Sequence, residues 1–193
     1  MNNVVSLDGF IADLHDDPGP LFEWYFNGDR SIVDATAEER HAPFRIGPRS
    51  YDYVTSLWGS IGATIQGRHL FDLTNGWEGR PPAGDHVVVV SHRPKPDGWH
   101  PEASYHFVDD VTAAVGTARE LAGDATVAVA AGDVGGQALA FGLVDEVAMD
   151  VAPVVLGTGK RFFGPVDAQH LLDDPHVVIQ GDRVLHLRFR VRR

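Results

Sequence analysis

Cysteine is absent from the 193 residues. That excludes a disulfide framework, thiolate metal sites and cysteine nucleophiles together, and the cytoplasm is the simplest address. Basic side chains are few: sixteen Lys and Arg stand against twenty-seven Asp and Glu, a formal net charge of −11. Such a field repels nucleic acid and anionic membrane, so neither is expected as a partner. Long apolar runs are missing as well. No stretch approaches the roughly 20 residues of a membrane helix, and the first residues lack the basic, apolar, small-residue order of a signal peptide. There is no internal repeat or low-complexity segment, and the region richest in Pro and Gly, "GWEGRPPAGD", is short enough for a loop.

What is present reads as an ordinary globular chain, 44% hydrophobic and 22% charged. Its length suits a single domain over residues 1–193. In "DDVTAAVGTARELAG", Val111, Ala114, Val115, Ala118 and Ala122 make one helical stripe, which Asp109 or Asp110 can cap and Gly123 can stop. The four valines of "DHVVVVSHRP" mark a strand covered on both faces, and "GATIQGRHLFDL" holds another strand ending at Gly67. "ATVAVAAGDVGGQALAFGLVDEVAMDV" reads as strand, turn, short helix and a second strand from about Glu146 to Val151. "SYDYVTSLWGSIG" predicts a helix and "AEERHAPF" a shorter one. In "HVVIQGDRVLHLRFRVRR" two apolar runs flank Gly181 and Asp182, a hairpin signal; Leu185, Leu187, Phe189 and Val191 then face one way and His186, Arg188, Arg190 and Arg192 the other. The expected class is α/β, a mostly parallel central sheet with helices on both faces and a C-terminal antiparallel hairpin.

Three buried strands are each followed by small or polar residues, and in an open α/β sheet such carboxyl ends bind ligands. After the third, Gly132, Asp133, Val134, Gly135 and Gly136 lead into a helix whose free amides can attract phosphate, or simply form a tight turn. After the first, Arg68 and His69 follow Gly67 and can hold an anion, unless Arg68 pairs with Asp72 four residues on. After the second, Ser91, His92 and Arg93 suit a ribose phosphate or a bare surface loop. The ten histidines show no HExxH, HxH or comparable spacing, so no metal site is expected, and no GxSxG elbow supports a serine hydrolase.

"VSLDGFIAD", "GRHLFDL", "VVVVSHRP" and above all "GLVDEVAMDVAPVVLGTGKRFF", in this order and spacing, resemble the dihydrofolate reductase-like superfamily. The similar branch is the C-terminal reductase domain of the bifunctional riboflavin-biosynthesis deaminase-reductase. The resemblance runs over essentially the whole chain. It implies an NADPH-dependent oxidoreductase that transfers hydride to a C=N or C=O bond of a small heterocyclic, pterin- or aminopyrimidine-like substrate, and it implies a homodimer. It places the pyrophosphate on the turns at Gly67, Arg68 and His69 and at Ala131, Gly132, Asp133, Val134 and Gly135, and the adenosine ribose and its 2′-phosphate near Ser91, His92 and Arg93. Ser6 and Asp8 become candidates beside nicotinamide or substrate, although Asp8 and Gly9 can also make a plain turn. Asp52 and Glu23 are candidate pocket acids; the plainer reading of Asp52 is a helix-capping or exposed acid. Trp24, Tyr25 and Phe26 can stack on a heterocycle or close the core. The chain departs from that branch in "VAVAAGD", where Ala130 stands at the place of a substrate-binding acid and Ala131 replaces the first glycine. Relatives begin the first strand earlier, so "MNNVVSLDG" is expected to be a shortened start. The contrasting expectation is a non-catalytic nucleotide-binding protein of the same fold.

Overall fold

Apolar patterning and capping chemistry account for most element boundaries in the computed structural model, which describes residues 1–32 and 44–193. The strands are β1 (Asn2–Val5), β2 (Phe10–Ala12), β3 (Arg30–Ser31), β4 (Arg45–Ile46), β5 (Ile61–Gly67) and β6 (His86–Val90). They continue with β7 (Tyr105–Val108), β8 (Thr126–Val129), β9 (Glu146–Val151), β10 (Lys160–Arg161), β11 (Val177–Gly181) and β12 (Val184–Arg190). The α-helices are α1 (Pro48–Gly59), α2 (Arg68–Thr74), α3 (Val111–Ala122) and α4 (Asp133–Ala140). Helix α3 shows the cause of its own limits: the Asp110 carboxylate accepts the Ala113 amide, and Gly123 leaves the helix at φ +57°, which a glycine adopts without strain.

The described residues form two compact units. In the first (Met1, 58–144 and 163–168), β7, β6, β5 and β8 lie side by side in that order, all parallel. Val87, Val88 and Val89 are each 0% exposed, and alternate residues of a strand point to opposite faces, so β6 is covered on both. Phe71 of α2 packs with Val87, Val89 and Tyr105, with Trp99 and Phe107 against them, while α3 packs on β5 and β6. Helix α4 needs its glycines for close approach: a Cβ at Gly135 would lie 2.7 Å from the Ala130 carbonyl oxygen, and one at Gly136 would overlap the Phe163 carbonyl oxygen.

In the second unit (2–57, 145–162 and 169–193), β1, β9, β12 and β11 pair in that order, β1 parallel to β9 and the others antiparallel. Short ladders join β2 to β10 and β3 to β4. A 3₁₀ helix at Gly19–Phe26 buries Leu21, Trp24 and Tyr25. The mixed, mostly parallel α/β class with a terminal antiparallel hairpin is thus observed.

One local expectation is corrected, and one strand, β7, appears where none was expected. The hairpin turn is Asp182 and Arg183, one residue later than predicted, because Gly181 pairs with Val184 and Arg183 takes φ +62°. His186 shares one face of β12 with Arg188 and Arg190, as alternation predicts, and on that face it is 0% exposed, its ring nitrogens satisfied inside the unit. β7 had no strand signal of its own: four residues, flanked by no clear alternation, become a strand because β6 offers a free edge. The helix expected at "AEERHAPF" falls, apart from Phe44, outside the described residues.

Two glycine substitutions should act in opposite directions. Gly116 of α3 is exposed with nothing within 4 Å of an added Cβ, so Gly116→Ala should stabilise by up to about 1 kcal/mol through helix propensity. Gly136→Ala should cost about 1–3 kcal/mol despite the same propensity gain, because the methyl meets a backbone carbonyl. Urea unfolding midpoints of both variants check the signs.

Candidate functional site

In the first unit, parallel pairing brings three carboxyl ends to one edge. Gly67 of β5 is in register with Val90 of β6, and Ile65 of β5 with Val129 of β8. The turns that follow are therefore neighbours. A Cβ on Gly67 would lie 3.2 Å from Val134 Cγ2, so the start of α2 and the start of α4 touch. Gly132 precedes α4 at φ +95°, a conformation natural to glycine, and neither Gly67 nor Gly132 offers a side chain to cap the first-turn amides. Beside them Gln66 is buried, and its Nε2 has no partner among the described residues. A buried donor without an acceptor at a strand end is rare and is satisfied by an added polar group. The edge thus offers helix-start amides without side-chain caps and one buried donor, Gln66 Nε2, without a partner among the described residues.

Cations gather at the same edge. The Arg68 Nε donates to Asp72 Oδ1 at 2.7 Å and its Nη1 to the Pro94 carbonyl at 3.1 Å, while its guanidinium lies 5.4 Å from the Phe71 ring centre. Arg93 Nη2 donates to Asp72 Oδ2 at 2.7 Å. Hydrogen bonds from Arg68, and then from Arg93, hold the Asp72 carboxyl below its ordinary range. One carboxylate therefore aligns two guanidiniums, a net positive pair. Ser91 shapes the loop between them: its hydroxyl donates to the Arg93 carbonyl at 2.7 Å and accepts the Arg93 amide at 3.0 Å. His69, His92, Arg93 and Asp133 are exposed, whereas Ser91, Ala131, Gly132 and Val134 are half-buried and Gly135 is buried. Every expected cofactor residue except Ser6 lies along this edge. For Arg68, the intramolecular pairing with Asp72 is the one observed.

Ser6 and Asp8 belong to the second unit and are engaged with each other. Ser6 Oγ donates to Asp8 Oδ1 at 2.6 Å and accepts the Phe10 amide at 2.9 Å; Asp8 also accepts the amides of Leu156 at 3.1 Å and Gly157 at 2.7 Å. The acid that interrupts the first strand thus ties the β1–β2 turn to the loop after β9. The Ser6 hydroxyl, with help from the Gly157 and Leu156 amides, holds the Asp8 carboxyl below its usual value. Glu23 pairs with Arg183 at 3.1 Å on the surface, and Asp52 is exposed on α1. Trp24 and Tyr25 are core residues, their ring centres 3.9 Å apart, while Phe26 is exposed.

Sequence reading missed one polar cluster of the second unit. His186 Nδ1 is 2.6 Å from Asp150 Oδ1 and His186 Nε2 is 2.9 Å from Ser50 Oγ, with Trp24 and Tyr53 around the ring. Burial, then the charge on Asp150, pushes the Tyr25 and Tyr53 hydroxyls upward. The available signal was a lone histidine within an apolar strand.

No known protein-family profile matches the chain, and no curated protein matches it in sequence. Solved structures do. A candidate riboflavin biosynthesis protein of Shewanella sp. PV-4 superposes with TM-score 0.72 at 18% identity, over 100% of this chain and 97% of that one. A pyrimidine reductase-like protein of Corynebacterium diphtheriae gives 0.60 at 16% identity, over 100% and 90%. The diaminohydroxyphosphoribosylaminopyrimidine deaminase/5-amino-6-(5-phosphoribosylamino)uracil reductase of Thermotoga maritima gives 0.60 at 14%, over 99% of this chain and 55% of that one, so this chain spans little more than half of its length.

Removing the Asp8 charge should expose the value of its clamp. Because the folded pKa is lowered from the ordinary 3.8, the stabilisation is fully present above that pH and lost as the pH falls through the folded value. The urea midpoint of the wild type should exceed that of Asp8→Asn at neutral pH, and the two should converge well below 3.8. Strand order and superposition together give the chain the dihydrofolate reductase-like α/β fold.

Proposed function

We propose that the protein is an NADPH-dependent reductase acting on a small pterin- or aminopyrimidine-like heterocycle. The observation that carries this reading is the contact between the Gly67 turn and the start of α4, which makes one continuous edge of uncapped amides at the ends of three parallel strands. The residues present fit a dinucleotide. In the reading, the amides of Gly132, Asp133, Val134 and Gly135 and the turn at Gly67, Arg68 and His69 hold the pyrophosphate. Arg93, with His92 and the Ser91 loop, meets the ribose phosphate, and Asp72 keeps both guanidiniums oriented toward it. Gln66 supplies a buried donor to a carbonyl of the bound ligand. NADPH, when bound, supplies the hydride; the chain binds, orients and shields. Pyrimidine chemistry is favoured by the likeness to a pyrimidine reductase-like protein and to a deaminase/uracil reductase.

Within this reading Asp8 positions the loop at 156–157, since its oxygens are occupied and its lowered pKa suits an anion rather than a proton donor. Asp52 and Glu23 remain the proposed substrate-side acids. Their exposure and the Glu23–Arg183 pair favour, as a second reading, a non-catalytic nucleotide-binding protein of the same fold. We also propose a single working domain and a cytoplasmic homodimer joined through the hairpin, where β11 is an edge strand with Val178 59% exposed; sedimentation of the purified chain reads one mass or two.

Titration with NADPH, followed by fluorescence, should show binding, and Arg68→Ala should weaken it by about 1.5–3 kcal/mol, roughly ten- to a hundredfold in Kd. Unchanged affinity in a folded variant removes Arg68 from the site. Oxidation of NADPH in the presence of pterin or aminopyrimidine acceptors supports the reductase; binding without oxidation supports the second reading.

A further inference from the structure

Two histidines on neighbouring strands of the first unit turn their ring nitrogens toward one hydroxyl. His86 opens β6, and His106 of β7 is in register with Val88, so both imidazoles stand on the sheet face opposite Val87, Val89, Tyr105 and Phe107. Ser104, just before β7, sits between them: its Oγ is 2.7 Å from His86 Nδ1 and 3.2 Å from His106 Nε2. Bonds of about 2.0–2.1 Å to a zinc ion put adjacent ligand atoms about 2.8–3.4 Å apart in octahedral or tetrahedral coordination, so both separations are close to the edges of a coordination shell. The ring centres, 6.4 Å apart, need to approach by about 1 Å for both nitrogens to meet a tetrahedral ion, a shift within reach of small side-chain rotations. All three residues are half-buried, which leaves the open side of such a shell to water and gives an ion a way in. No sequence motif announces the pair, because its members come from different strands.

We propose that His86, His106 and Ser104 hold one divalent late-transition-metal ion, of which Zn²⁺, Ni²⁺ and Cu²⁺ fit the donors and Mg²⁺ and Ca²⁺ do not. Imidazole nitrogens suit the first three, whereas the last two take oxygen shells. A neutral imidazole has one nitrogen lone pair to give, so in the bound form the ring protons sit on His86 Nε2 and His106 Nδ1. The Ser104 hydroxyl is a weaker third donor that keeps its proton, and waters complete the shell. Among the described residues no three His, Asp or Glu gather for a metal, so this two-imidazole site exchanges its ion instead of enclosing it. The net charge of −11 draws cations to the chain. Lys95, whose charge acts against a cation at His106, has its ammonium turned to the His100 carbonyl at 3.1 Å and lies 5.2 Å from the Trp99 ring centre. A bound ion ties β7, an edge strand with one neighbour, to β6. The Val108 carbonyl at the end of β7 accepts the Ser91 amide at 2.7 Å, so the same tie steadies the loop after β6. The site does not depend on the reductase reading.

The test uses the full chain, free of any affinity tag and stripped with a chelator. Calorimetric titration with ZnCl₂ should show binding that His86→Gln and His106→Gln each weaken at least tenfold, that Ser104→Ala weakens less than either, and that MgCl₂ does not reproduce. Electron paramagnetic resonance of the Cu²⁺ form should show two imidazole nitrogens on the ion. Zn²⁺ should also raise the urea midpoint of the wild type and leave that of the double variant unchanged. No binding, or wild-type affinity in the folded double variant, overturns the proposal. Histidine modification by diethyl pyrocarbonate, mapped by mass spectrometry, needs no variant to fold: saturating Zn²⁺ should protect the peptides carrying His86 and His106 at least tenfold, and equal modification with and without the ion overturns the site.

Discussion

The central strand of the first unit, β5, is held between two parallel neighbours, and the edge where three strand ends meet depends on this pairing. Parallel ladders run every carboxyl end the same way, so Gly67, Ser91 and Ala131 must emerge together once β6 and β8 are in register with β5. In β5 Ala63 and Ile65 are both 0% exposed, and a slip of one residue would turn each to the opposite face. The glycines of α4 then let that helix sit close against the end of β8, so that its first turn reaches the Gly67 turn.

Electrostatics on a chain of net charge −11 follow from local pairing, not from the total. Asp72 gathers two guanidiniums at the strand-end edge, its carboxylate accepting one hydrogen bond from each. Asp8 does the reverse: a negative charge is saturated by a hydroxyl and two amides, and its function becomes mechanical, holding a turn to a loop. Both pairings lower the acid's pKa, so neither group is suited to deliver a proton near neutrality. The second unit keeps its polar chemistry inside, in the Ser50, His186 and Asp150 cluster, where each donor meets an acceptor away from water.

Elements with a strong local signal were legible in the residues alone. α3 carried its stripe, its capping Asp110 and its terminating Gly123; the valines of β6 and the hairpin of β11 and β12 were equally explicit. β7 was not, because a four-residue edge strand owes its conformation to the partner it pairs with. The Asp182–Arg183 turn was displaced by one residue, since Gly181 attracts a turn assignment but serves here to clear space for Ser50.

Within the candidate site, the sequence by itself determined the small and polar residues after three buried strands, and the option that Arg68 pairs with Asp72, because these are properties of neighbours a few positions apart. Only the tertiary structure decided that the Gly67 and Gly132 turns touch, that Arg93 joins Arg68 on one carboxylate, and that Asp8 is engaged by amides about 150 positions away. The same holds for His186: alternation fixes which strand face it takes, and only the packing of Asp150 and Ser50 against that face makes it a core residue. Local patterns specify what a segment can become; which distant groups satisfy its hydrogen bonds depends on the packing of strands that are remote in the chain.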